Sequence, residues 1–413
     1  GGNPTIYRVT SLADSGSGTL REAMQASGPR VVIFERSGTI SLDSPIVVSS
    51  PYLTVAGQTA PSPGVTLRNY GIAITTNDVL IQHLRIRPGG NTCNTAAEAW
   101  GESVYNIVWD HMSISWGQDE NFVFYNGSRP INLSVWRSIT SEALTDAMNG
   151  GCGGTPDGTF QSHGMLVYQG TKNVSAIQNL FAHNQERNPY AKGGTSTYVA
   201  NNVIYDGHEG PLYADPDGVG TPVLGTLVGN YILGGPTSNS PYSGWAAAVR
   251  FLGSGSQIYM NDNGLNLGNS PDPITPFAII NNDGIDPRVG NPPITVSGYT
   301  PMPSGSVSSS ILPGVGARPR DRDPVDARIV SEVSLGAGRV IHSQNDVGGW
   351  PNLAVNTRTL TPPANPNAVS STGYTNLENW LHNMAWEVEG VTGVTPSPSP
   401  TPTPTTPQPT PTP

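Results

Sequence analysis

The sequence predicts an all-β chain, a solenoid of stacked parallel strands, and three observations carry that prediction. First, short apolar or alternating segments recur: VLIQHLRI (79–86), IVWDHMSI (107–114), SVWRSIT (134–140), AIQNLFA (176–182), YVANNVIY (198–205) and TLVGNYIL (226–233). Second, stacking them sets His83, His111, Arg137, Asn179, Asn202 and Asn230 in one column, at intervals of 28, 26, 42, 23 and 28 residues. Such a unit covers only one side of its neighbour, so a continuous core exists only when the coils stack. Asparagine recurring at one turn can bond amide to amide along the stack. Third, glycine (49) and proline (39) are abundant while only 12% of residues are charged, as a chain of many turns and few solvated helices requires.

The elements follow in chain order. Thr19-Leu20-Arg21-Glu22 is a capping box opening a short helix through about Ala26, placed to cover the open start of the solenoid. The strands VVIFE (31–35) and LTVAG (53–57) come next, then the repeats. The doubled interval from 137 to 179 holds an insertion, 144–164, and long loops on a rigid repeat are where function concentrates. From about 234 to 370 the repeat fades into Pro/Gly/Ser-rich sequence without assignable elements. Thr375 to Glu378 opens a second helix, whose Leu377, Trp380, Leu381 and Met384 share one face that belongs against the barrel. The catalytic-type domain is therefore 1–394. The remainder, 395–413, holds nine prolines and no apolar side chain, and reads as a spacer or a disordered tail.

Composition excludes two partner classes. With 30 acidic and 20 basic residues and only two lysines, Lys172 and Lys192, the chain lacks the basic surface that nucleic acid needs. No run approaches the roughly 20 apolar residues of a membrane span. The start at Gly1-Gly2 reads as a mature or trimmed form, and the Thr/Pro tract points to a secreted enzyme, a monomer joined through its spacer to a carbohydrate-binding module. In that setting Cys93 and Cys152 form one disulfide or remain two thiols, and two cysteines are too few for a zinc ribbon.

Two clusters could carry chemistry. Glu98 and Glu102 precede the 107 strand, and Asp119 and Glu120 follow it, as either a solvated acidic surface or a set of hard oxygen ligands suited to calcium. Glu186 to Gly194 (ERNPYAKGG) places Arg187 and Lys192 five residues apart around a proline. In a chain so poor in cations this reads either as an anion site or as a salt bridge to Glu186 or a nearby loop.

Motifs in a consistent order tie these residues to a family. SGTLREAM (17–24), LTVAGQTAP (53–61), VLIQHLRIRPG (79–89), NIVWDHMSISWGQDE (106–120), LFAHNQERNP (180–189), PRDRDPVDARIV (319–330), VGGWP (347–351) and GYTNLENWL (373–381) resemble the bacterial pectate lyases of polysaccharide lyase family 1 over nearly all of 1–390. The resemblance implies a right-handed parallel β-helix that cleaves polygalacturonate by calcium-assisted β-elimination. It implies that Arg187 is the catalytic arginine, that Lys192 stands where a second arginine binds substrate, and that Glu98 and Glu120, with Asp119 beside it, bind calcium. Two departures stand out: Phe124 occupies a position acidic in some members, and the substrate-binding lysine of many members is absent. Near that place stands His163, which takes a share of substrate binding or simply lines the loop.

Calcium on the C6 carboxylate of a galacturonate would disperse the charge that develops when the C5 proton leaves. It would also reconcile an acidic protein with an acidic polymer. Arginine normally keeps its proton in proteins, so chemistry alone makes Arg187 an electrostatic stabiliser, whereas the resemblance makes it the base. A hydrolase on the same fold would need close paired carboxylates, and no Asp-Asp pair occurs in the chain. A pectin lyase, which needs no calcium, and a silent carbohydrate-binding β-helix also compete with the pectate lyase reading.

Overall fold

The computed structural model describes residues 3–90, 95–125, 130–145, 162–207, 210–214, 220–238, 248–250, 252–266, 278–280 and 286–390. Cys93, Cys152, most of the insertion and the Thr/Pro tract lie outside the described residues. Within them, strands form three parallel sheets of ten, nine and nine strands. Sheet 1 runs from Thr5–Val9 to Gln257–Asn261, sheet 2 from Ile46–Val48 to Ala278–Ile280, and sheet 3 from Gly38–Ser41 to Gly264–Asn266. Each coil gives one strand to each sheet; Tyr105–Asp110, Ser113–Ser115 and Glu120–Tyr125 enter sheets 1, 3 and 2. The chain is an all-parallel β-solenoid, as the repeat requires.

Alternation along each strand sends every second side chain inward, and stacking aligns them into columns. In sheet 1 one inward column is Val55, Ile81, Trp109, Val135, Ala176, Val199 and Leu227. All are buried, and Trp109 meets Phe122 of sheet 2 edge to face at 5.8 Å. Burying each large side chain contributes about 1.5–3 kcal/mol, so the column gains stability with every coil added.

The register corrects the column drawn from sequence. Trp136 pairs with Ile177, so Arg137 lies beside Gln178, and Asn179 lies beside Ser138. The slip arises because two adjacent turn positions are both polar, with different jobs. His83, His111, Arg137, Gln178, Asn201 and Asp262 all take positive φ, between 45° and 57°, and turn the chain from sheet 1 toward sheet 3. The next residue inward makes the amide ladder: Asn179 Nδ2 donates to Asn202 Oδ1 (3.0 Å), Asn202 to Asn230 (2.9 Å) and Asn230 to Asn263 (2.9 Å). Each Oδ1 also accepts a backbone N–H from the preceding coil, as Asn202 does from Asn179 (2.9 Å). Turn groups with no strand partner are thereby satisfied in the interior. A second, exposed ladder links Asn173, Asn132, Asn106 and Asp78 at the start of sheet 1.

Four helices flank the described solenoid: α1 Leu20–Gln25, α2 Ser304–Ile311, α3 Pro324–Leu335 and α4 Asn376–Glu389. The Thr19 side chain accepts from Glu22 N, and α1 buries Leu20, Ala23 and Met24 among the first strands. A full capping box starts α4, whose Leu377 and Leu381 pack with Trp380 and Met384 on Val31, Ile33 and Ala56. The C-terminal helix therefore lies on the outer flank of the first coils, reached by the chain's return along the solenoid. Glu389 at its end lies 3.2 Å from His83 Nε2, under the stacked rings of His83 and His111.

The stretch from 234 to 370, where the sequence showed no assignable elements, continues the three sheets with Ala248–Arg250, Gln257–Asn261, Gly264–Asn266 and Ala278–Ile280, and then holds α2 and α3, which cover sheet 3. Asp323 caps α3, Pro324 opens it and Gly336 closes it with φ 66°, a complete set of helix signals. Asp323 and Asp326 face Arg87 at 2.5 and 2.7 Å, and Arg85 lies 3.3 Å from Asp326, with all four side chains buried. The motifs LRIRPG and PRDRDPVDARIV are thus two halves of one buried ion cluster.

Candidate active site

The outer face of sheet 2 gathers the candidate residues. Glu120 opens the strand Glu120–Tyr125 and pairs in register with His163, which bridges to Glu186 on the next coil. Arg187 follows at φ 63°, turning its side chain back so that its guanidinium ion-pairs with Glu120. Ligand atoms of Asp119, Glu120 and His163 lie within 4.8 Å of one another. Lys192 ends the strand Tyr190–Lys192 with its ammonium 4.5 Å from the centre of the Tyr168 ring.

Burial sets the electrostatics. Glu120 is 4% exposed, and desolvation pushes its carboxyl up to about 8, with Asp119 pushing the same way and Arg187 and Lys192 opposing. Burial alone would raise Asp119, but His163 and Arg187 carry it below the usual carboxylate range. Burial holds the His163 imidazole below its ordinary value, against the pull of Asp119 3.8 Å away. Two buried nitrogens at the site, His163 Nδ1 and Arg187 Nε, have no hydrogen-bond partner among the described residues.

A buried amide network holds the two sides together, and sequence reading missed it. Asn121, next to Glu120, donates to Asn184 Oδ1 (3.2 Å), and Asn184 donates to the Oδ1 of Asn188, next to Arg187 (3.2 Å). Nothing but asparagine content marks these positions in sequence, because the Asn121–Asn184 link joins separate coils. Gly164 lets the coils approach: a Cβ there would stand 2.7 Å from the Arg187 carbonyl oxygen.

The structure thus brings Asp119, Glu120, His163 and Arg187 together and sets Glu98 apart. Glu98 pairs with Val123, three residues along the strand from Glu120, roughly 10 Å away. Its surroundings are burial, which raises its pKa, and a hydrogen bond from the Trp100 side chain. His163 is 5% exposed beneath the acids, and Phe124 points into the core, so the non-acidic residue there is a packing residue.

No protein-family model matches the sequence. The probable pectate lyase C of Aspergillus fumigatus is 30% identical over 412 residues, 93% of this chain and 90% of its own length. The chain belongs to the pectate lyase family. A second probable pectate lyase C, from Neosartorya fischeri, is 30% identical over 92% of the chain and 89% of its own length. These pectate lyase relatives are fungal, which corrects the bacterial branch expected from the motifs; those motifs mark shared packing and site geometry and carry no lineage. The cedar-pollen allergen jun a 1 shares the fold, with TM-score 0.53, 16% identity, and 74% of this chain and 86% of its own covered.

Proposed function

We propose that the chain is a pectate lyase that cleaves α-1,4-linked polygalacturonate by calcium-assisted β-elimination. The observation that carries this reading is Arg187 held against the buried acid Glu120, beside Asp119, in a chain of this family. The donor set fits calcium in part: Asp119 and Glu120 supply the hard oxygens it takes, and burial raises the Glu120 pKa against the pull of Arg187 and Lys192, so a divalent cation there would favour its ionised form. Imidazole suits calcium poorly, so His163 would position Asp119 from below rather than coordinate or meet the polymer. Glu98 would add a further anionic neighbour outside the compact set. Bound calcium would neutralise the C6 carboxylate and so acidify the C5 proton.

The remaining steps belong to the chain's own residues. Lys192 holds a substrate carboxylate as a point charge. Arg187 acts at the reacting residue: the resemblance makes it the base, which requires its guanidinium to give up a proton to solvent before it takes the one from C5, and the guanidinium so re-formed stabilises the anion developing at C6. The C5–H and C4–O4 bonds break, a C4=C5 bond forms, and the departing O4 takes a proton from solvent. We further infer that the coil is right-handed, that α1 closes its first turn, and that the enzyme is a secreted monomer. The segment from 395 would be its spacer to a carbohydrate-binding module. Among the described residues no helix is long and apolar enough to cross a membrane.

The test follows ultraviolet absorbance of unsaturated uronides from polygalacturonate and from methylated pectin, with and without a chelator, for wild type and Arg187→Ala. Chelator-sensitive product from the unmethylated polymer, lost in a folded Arg187→Ala, is expected. Chelator-insensitive product from methylated pectin would mean a pectin lyase, and reducing sugar without absorbance would mean hydrolysis. Binding without product would mean a carbohydrate-binding protein.

A further inference from the structure

Beyond the charged site, the face of sheet 2 carries a feature that the elimination chemistry does not use. Crossing the strands from the Glu120 edge, the outward side chains become apolar: Val123, Leu166, Tyr190 and Leu212 pack as one cluster. At the far edge stands an aromatic row, one ring per coil. Trp100 pairs in register with Tyr125, their near-parallel rings 6.2 Å apart, whereas Tyr125 meets Tyr168 edge to face, at 6.1 Å and 67°. Trp100 is 38% and Tyr168 42% exposed, so both rings reach the surface of the solenoid. The aromatic and apolar residues adjoin the charged site at two points, because Lys192 lies over Tyr168 and Arg187 lies 5.9 Å from the Tyr190 ring.

We propose that Trp100 and Tyr125 form a stacking platform for a pyranose ring of the bound polyuronate, flanking the reacting residue, with Tyr168 turned across their end under Lys192. This rests on the lyase reading for its ligand. A galacto-configured ring presents its H3, H4 and H5 hydrogens on one face, which is apolar although the sugar is an anion. The row carries one ring per coil, so it runs along the stacked coils. Lys192 at the end of the row takes the carboxylate of a sugar whose carbon face lies on the rings. The two contacts divide the work: lysine reads charge and weakens with salt, while the rings read shape and do not.

The test compares wild type with Trp100→Ala, Trp100→Phe and Tyr168→Ala. Affinity for oligogalacturonate is measured by calorimetry under chelation, where turnover stops, and KM and kcat are measured with calcium, both at low and high salt. Expected is a roughly ten-fold loss of affinity in Trp100→Ala, mirrored in KM more than in kcat, equal at both salt concentrations and largely restored in Trp100→Phe. Affinity unchanged in Trp100→Ala and Tyr168→Ala overturns the platform. So does a loss that falls on kcat and is not restored by phenylalanine, since Trp100 would then act only through its bond to Glu98. Failure of wild type to form unsaturated product would sink the lyase reading alone, and the affinity comparison would still decide the platform.

Discussion

His183 provides the sharpest quantitative expectation. Its side chain is fully buried, with Nδ1 2.9 Å from Asp206 and Nε2 3.4 Å from Glu332 on α3, so it clips that helix to the coil that leads into Arg187. Burial alone would lower its pKa, but Asp206, Glu332 and Glu142 raise it to about 9. The unfolded chain binds this proton with a pKa of about 6.5. A folded value above the unfolded one gives stability that is fully present below about pH 6.5 and is lost as pH rises through about 9. The linkage relation gives about 3 kcal/mol at pH 6, about 1.4 kcal/mol at pH 8 and about zero at pH 10. The perturbation is His183→Gln, which stays neutral throughout. The assay pairs urea unfolding of both proteins at the three pH values with an NMR titration of the His183 ring. The gap between wild type and variant should shrink by about 3 kcal/mol from pH 6 to pH 10. A ring titrating near its ordinary value, or a gap that does not change with pH, would refute the reasoning.

Other expectations follow from the same geometry. Glu120→Gln should weaken calcium binding by at least about ten-fold in calorimetry, and Glu98→Gln should weaken it less, because Glu98 lies outside the compact set; equal losses would contradict that placement. Asn202→Ala removes an acceptor for two Asn179 N–H groups and a donor to Ala176 and Asn230, so denaturant unfolding should show a loss of about 2–4 kcal/mol. Arg87→Met leaves Asp323 and Asp326 buried without their main cation, which should cost about 3–5 kcal/mol.

The sequence by itself determined the solenoid, because a coil that buries one side chain in two must repeat its apolar pattern at every turn, and periodicity is a local property of the chain. It also marked the helices at Thr19 and Thr375, whose capping side chains act within four residues, and it singled out Arg187, Lys192 and the acids at 119 and 120. Register was less legible: adjacent polar turn positions look alike until backbone pairing puts Gln178 beside Arg137 and Asn179 beside Ser138. Only the tertiary structure decided what lies across coils. Arg87 meets Asp323 over 236 residues, Glu98 pairs with Val123 and so stands away from Glu120, and Trp100, Tyr125 and Tyr168 line up as a row. Such contacts depend on how many residues each turn consumes, and turns of unequal length hide that count from any reading of spacing.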